Sequence, residues 1–137
     1  MSYIAILKAQ LKIDEGVRHM PYTDTVGKLS IGVGRNLDDK GIRDDEMELM
    51  LMNDIQEAED SARALVSNFD SLSDERKAVV VNLSFNMGQT VLAQFTNTLR
   101  AINEGRYDDA ADGMLASLWA KQVGARALRL SAKMRHG

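Results

Sequence analysis

The chain has 137 residues, 45% hydrophobic and 27% charged, with a formal net charge of −3. That is enough chain for one soluble globular domain with a substantial core, and the mild acidity argues against non-specific nucleic-acid binding. With no Cys and only two His, disulfides, a thiolate nucleophile and a thiolate metal site are ruled out, and a histidine metal cluster is not expected.

Ser2 is a candidate N-cap, and Ile4, Leu7 and Leu11 form one apolar stripe at helical spacing. This predicts a helix to about Asp14, with Gly16 as its stop. Ala5-Ile6-Leu7 is interrupted by Lys8 and Gln10, so neither a signal-peptide pattern nor a membrane span is read there. Pro21 cannot continue a helix and biases Met20 towards extended geometry. Tyr22 to Thr25 and Lys28 to Val33 then predict two short strands around Val26-Gly27, in a sheet of three strands at most. Gly32 and Gly34 can let backbone or substrate approach closely. Residues 35–41 read as a polar turn.

The longest helical pattern runs from about Asp44 to Val66. Met47, Leu51, Ile55, Ala58, Ala62 and Leu65 step by three or four along a stripe expected to be core. Acids load its first turns, which suits a helix N-terminus. Ser73 caps the next helix, in which residues 78–87 are apolar on nearly every side. That helix is expected to be buried all round and to end at Gly88. Shorter helices are predicted over residues 90–95, 96–104, 108–116 and 125–134.

Three side chains near the N-terminus carry a possible chemistry. Glu15 lies at the expected helix end, Asp24 nine residues later and Ser30 six residues after that. A helix end and a hairpin can turn all three towards one cleft. In glycoside hydrolysis a carboxylic acid protonates the leaving oxygen, and a carboxylate can activate water on the other side of the sugar. By spacing alone the same residues also fit a surface acid, a turn and an ordinary strand position.

The surrounding residues separate these readings. Leu11-Lys12-Ile13-Asp14-Glu15-Gly16-Val17-Arg18, Tyr22-Thr23-Asp24-Thr25 and Ser30-Ile31-Gly32-Val33-Gly34 resemble the phage-type lysozymes, glycoside hydrolase family 24. Downstream, Leu83-Ser84-Phe85-Asn86-Met87-Gly88, Phe95-Thr96-Asn97-Thr98-Leu99-Arg100, and Trp119 with Gln122 and Arg126 resemble the second lobe of that family, in the same order. The resemblance covers nearly the whole chain. It departs at Ser30, where the family carries Thr.

The resemblance implies an α+β, mostly helical, two-lobed fold with a cleft between the lobes. A small antiparallel sheet would belong to the N-terminal lobe, about residues 13–45. A long helix, about 44–66, would join it to a helical lobe of about 67–137 plus the N-terminal helix. It implies Glu15 as general acid, Asp24 as base and Ser30 as a second hold on the attacking water. Partial burial would favour the protonated form that Glu15 needs. Asn36, Phe85, Asn86 and Thr98 would contact substrate, and Arg126 would approach Glu15. Trp119 is expected to be core. Arg35 stands where the family has a His, and Asp54 is its expected partner.

The implied activity is that of a muramidase cutting the β-1,4 bond from N-acetylmuramic acid to N-acetylglucosamine in peptidoglycan, in phage-mediated lysis. No metal or cofactor is implied, and no nucleic acid. A monomer is expected, held in the host cytoplasm until a holin opens the membrane and then acting on the wall. Lys121, Arg126, Arg129, Lys133 and Arg135 lie in an acid-free segment from Trp119 onward. They are either a solvated helix face or a patch that favours an anionic wall. Two other readings stand beside the enzyme: a wall-binding module without catalysis, supported by the Thr-to-Ser change, and a helical interaction protein that uses the basic segment.

Overall fold

The computed structural model describes residues 2–137. Its elements are α1 (Tyr3–Glu15), β1 (Arg18–Thr23), β2 (Leu29–Gly32), β3 (Arg35–Asn36), α2 (Leu37–Lys40), α3 (Asp44–Leu65), α4 (Asp74–Leu92), α5 (Thr96–Asn103), α6 (Tyr107–Leu115), α7 (Leu118–Val123) and α8 (Ala125–His136). A short 3-10 turn, Phe69–Ser71, precedes α4. This is the α+β, mostly helical class expected from the sequence. The chain forms two compact units, Met1–Leu49 and Met50–Gly137. Among the described residues no helix is long and apolar enough to cross a membrane.

In the first unit the ends of α1 follow its sequence signals. Ser2 accepts a hydrogen bond from the Ala5 N–H at 3.3 Å, and Gly16 at φ 78° donates to the Lys12 carbonyl. The three strands pair antiparallel in the order β1-β2-β3. β1 begins earlier than predicted, at Arg18, and includes Pro21. Its register slips between Arg18 and Tyr22, and such an irregularity tolerates a residue with no N–H to give to the ladder. Residues 35–41, expected to be a turn, form β3 and α2 instead. Asn36 caps α2 by accepting from the Asp39 N–H at 3.0 Å, and Arg35 donates to the Gly41 carbonyl at 3.1 Å.

Asp54 is not the partner of Arg35. Glu46 takes the guanidinium with both oxygens, each at 2.7 Å. The reason is local: Glu46 lies in the first turn of α3, where its Oε1 also accepts the Arg43 N–H at 2.8 Å. This is the reach-back half of a capping box.

The second unit has a continuous core that includes Val79, Val80, Leu83, Ile102, Met114 and Met134. α6 packs on both α5 and α8, and α8 also packs on α4. Two expectations about burial need correction. Along α3 only Ala58 and Ala62 are buried, while Leu51 and Ile55 line a cavity of about 510 Å³. α4 is not buried all round: Ala78 and Phe85 are exposed and Val81 is half-buried. These three fall on one helical face, and that face lines the same cavity. Gly88, at φ 79°, kinks α4 where an end was expected, and helical hydrogen bonding resumes to Leu92. The short α7 was not foreseen. It is capped by Ser117, whose hydroxyl accepts the Ala120 N–H at 3.2 Å.

Candidate active site

Strand β2 is the common support for the three residues singled out in the first unit. At its start the Asp24 N–H donates to the Lys28 carbonyl at 2.8 Å. This extends the β1–β2 pairing beyond Thr23↔Leu29. Asp24 Oδ1 in turn accepts the Val26 N–H at 3.0 Å and the Lys28 N–H at 2.8 Å. The side chain is thereby locked into the hairpin turn, as Asp side chains favour. Both donors fall on one oxygen, and Oδ2 accepts from no described residue.

Ser30 lies in the middle of the sheet. It pairs with Tyr22 of β1 and with Asn36 of β3, and it is buried, with 3% exposed. Directly opposed residues share a face, and so do residues two apart along a strand. Asp24 therefore lies diagonally across from Ser30 on the same face, a relation that spans about 7–8 Å. The Ser30 hydroxyl makes no hydrogen bond to another described residue.

Glu15 is the last residue of α1 and is exposed, not partly buried as expected. Its carboxylate lies against Gly34, in the turn that leaves β2 for β3. Asn36 keeps its amide occupied at home: besides the cap, its Nδ2 donates to Asp39 Oδ2 at 3.0 Å.

The other expected substrate contacts lie in the second unit. Phe85 is 46% exposed and forms part of the cavity wall with Leu51, Phe69 and Val81. Arg126 stands at that cavity too. It donates through Nε and Nη2 to Asn82 Oδ1, at 3.1 and 2.6 Å. Trp119 is core, as expected, and its Nε1–H reaches out to Asn86 Oδ1 at 2.6 Å. Thr98 is buried in α5 and borders a second hollow with Asn97, Gly113 and Ser117. A Cβ on Gly113 would collide with the Thr98 hydroxyl, so that side chain would have to shift to admit one.

The phage lysozyme family model matches residues 12–135. The chain belongs to the phage lysozyme family. Two curated relatives agree. A probable T4-type lysozyme of Dictyostelium discoideum is 27% identical, over 98% of this chain and 96% of its own length. The endolysin of Salmonella phage P22 is 32% identical, over 82% of this chain and 79% of its own length. Within this family member, Glu15, Asp24 and Ser30 all lie in the first unit, around strand β2.

Sequence reasoning missed two features of this site. The first is Glu46, whose signal was its position three residues after Arg43 at a helix start. The second is the contact between Gly34 and Glu15. A glycine at the turn hinted at it, but the neighbour could not be read from the sequence.

Proposed function

We propose that the protein is an inverting N-acetylmuramidase. It hydrolyses the β-1,4 bond from N-acetylmuramic acid to N-acetylglucosamine in peptidoglycan, in phage-mediated lysis once a holin has opened the host membrane. The observation that carries this reading is the placement along one strand. Asp24 is tied to the start of β2, Ser30 is its buried second residue, and the turn at its end meets the Glu15 carboxylate.

Glu15 donates its proton to the leaving glycosidic oxygen. Asp24, oriented through Oδ1, offers Oδ2 to a water, and the Ser30 hydroxyl offers that water a second hydrogen bond. The water adds to the sugar carbon as the glycosidic bond breaks, and its proton passes to Asp24. A water between carboxylate and sugar requires carboxyl groups about 6.5–9.5 Å apart, whereas a nucleophilic Asp24 would need about 5–5.5 Å. A hydroxyl beside Asp24 supports the first arrangement, because direct attack by Asp24 gives it less to do. Phe85, Asn86 and Thr98 are the sugar contacts of the second unit. The protein acts as a monomer.

The reading of the basic segment as a partner surface is weakened by how its charges are used. Arg135 pairs with Asp112 at 2.6 Å and Asp108 at 3.5 Å, and Lys133 pairs with Glu75 at 3.1 Å.

Digestion of purified peptidoglycan tests the proposal. New reducing ends, trapped with borohydride, should be muramitol. Glucosaminitol would overturn the bond assignment, and binding without new ends would leave a wall-binding module. The first-formed anomer, followed by proton NMR before mutarotation, should be α. A first-formed β-anomer would make Asp24 a nucleophile.

A further inference from the structure

We propose that Gly34 is the positioning residue for Glu15: the missing side chain at this one turn residue fixes where the acid's carboxyl group rests. The inference depends on the role of Glu15 just proposed. A Cβ on Gly34 would stand 2.9 Å from Glu15 Oε2 and 3.1 Å from both Cδ and Cγ. Real Cβ atoms do not tolerate the first of these approaches, so one partner must move.

The other described glycines with positive φ show that this crowding is not a consequence of the backbone conformation. Gly16, Gly27, Gly32, Gly41, Gly88, Gly105 and Gly124 all have positive φ, and a Cβ on any of them would meet nothing within 4 Å. Those positions need glycine for the backbone alone. Gly34, at φ 67°, needs it for the backbone and also for the space that Glu15 fills.

The partner that would move is Glu15. The Gly34 backbone is tied into the turn between β2 and β3, whose pairing is Ser30↔Asn36 and Ile31↔Arg35. Glu15 is an exposed side chain at the end of α1, and its carboxyl group is the flexible far end that can turn away. A methyl at position 34 therefore displaces the carboxyl group, in addition to the backbone strain that any side chain meets at this φ. Chemistry that depends on delivering a proton along one line is sensitive to such a shift: a misplacement of about 1 Å can cost about 10²-fold.

The experiment compares Gly34→Ala with Gly41→Ala on soluble peptidoglycan glycan fragments. Both substitutions put a Cβ on a positive-φ residue of the first unit, but only Gly34→Ala meets Glu15. Gly34→Ala should lower kcat about 10²-fold with KM little changed, and Gly41→Ala should leave both near wild type. Gly34→Asn carries the Cβ on a residue that tolerates this φ, and it should show the same loss should the Ala variant fold poorly. In a Glu15→Ala background, which removes every Glu15 atom near the added Cβ, Gly34→Ala should leave the residual rate unchanged within about 2-fold, as for uncoupled sites. Equal losses in the Glu15 and Glu15→Ala backgrounds, or wild-type kcat in folded Gly34→Ala and Gly34→Asn, would overturn the positioning role. Full activity in Glu15→Gln would instead remove the acid assignment on which the inference rests, a separate result.

Discussion

The carboxylate of Glu46 holds both terminal nitrogens of Arg35, each at 2.7 Å, and its Oε1 also takes the Arg43 N–H at 2.8 Å. One acid thus fastens the strand end to the start of α3. The Arg35 hydrogen bonds, followed by the Arg43 backbone bond, hold the Glu46 carboxyl well below its usual range, at about 2. A depressed folded value means that the stabilisation is complete above the unfolded carboxyl value of 4.5 and is lost as pH falls towards 2. Glu46→Gln should lower the melting temperature at pH 7, modestly because the pair is partly solvent-screened, and the gap to wild type should close between pH 4.5 and 2. Thermal unfolding at several pH values checks this, and a gap that stays constant with pH would contradict the pairing.

Trp119 should behave as a core residue with one polar tether. It is 6% exposed, and its indole N–H reaches Asn86 at 2.6 Å. Trp119→Ala should cost about 3–5 kcal/mol, the usual range for an emptied aromatic site. Trp119→Phe keeps much of the packing and loses the hydrogen bond, worth about 1 kcal/mol. Urea denaturation of the two variants measures the difference. Equal costs would mean that the tether, and not the packing, dominates.

The Ser30 series tests the hold on water. Ser30 is buried in the central strand, with its hydroxyl free of described partners. Ser30→Thr restores the family residue and should keep or modestly raise wall hydrolysis. Ser30→Ala should lose activity by about 10-fold or more, on the scale of a lost hydrogen bond to a reacting group. Equal rates in wild type and both variants would leave Ser30 with a structural role only.

The ends of elements were legible wherever a local side chain or glycine makes them. Ser2 and Gly16 bound α1, and Ser73 opens α4 with its hydroxyl on the Arg76 N–H at 3.2 Å. What escaped was structure made by partners distant in sequence or by short polar runs. β3 exists because Ser30 and Ile31 of β2 offer it a ladder, and α7 is too short, at 6 residues, to show a period. The stripe on α3 was correctly periodic, but periodicity cannot tell burial in a core from lining a cavity, which is what Leu51 and Ile55 do. At the candidate site Ser30 lies in a strand as its pattern implied, whereas Asp24, expected within a strand over Tyr22 to Thr25, falls just past the end of β1 in the hairpin turn. The fixing of Asp24 by the Lys28 and Val26 backbone, and the close approach of Glu15 to Gly34, depended on turn geometry.

The central claim is that Glu15 supplies the proton that breaks the glycosidic bond. Release of reducing ends from purified peptidoglycan by wild type and Glu15→Gln, with folding of both confirmed by circular dichroism, tests it most directly. Gln keeps the shape of the side chain and has no proton of suitable acidity to give. General acid catalysis is worth about 10²–10⁴ in rate, so the variant should lose at least about 10²-fold while retaining the wild-type spectrum. A folded Glu15→Gln protein that releases reducing ends at close to the wild-type rate would contradict the account.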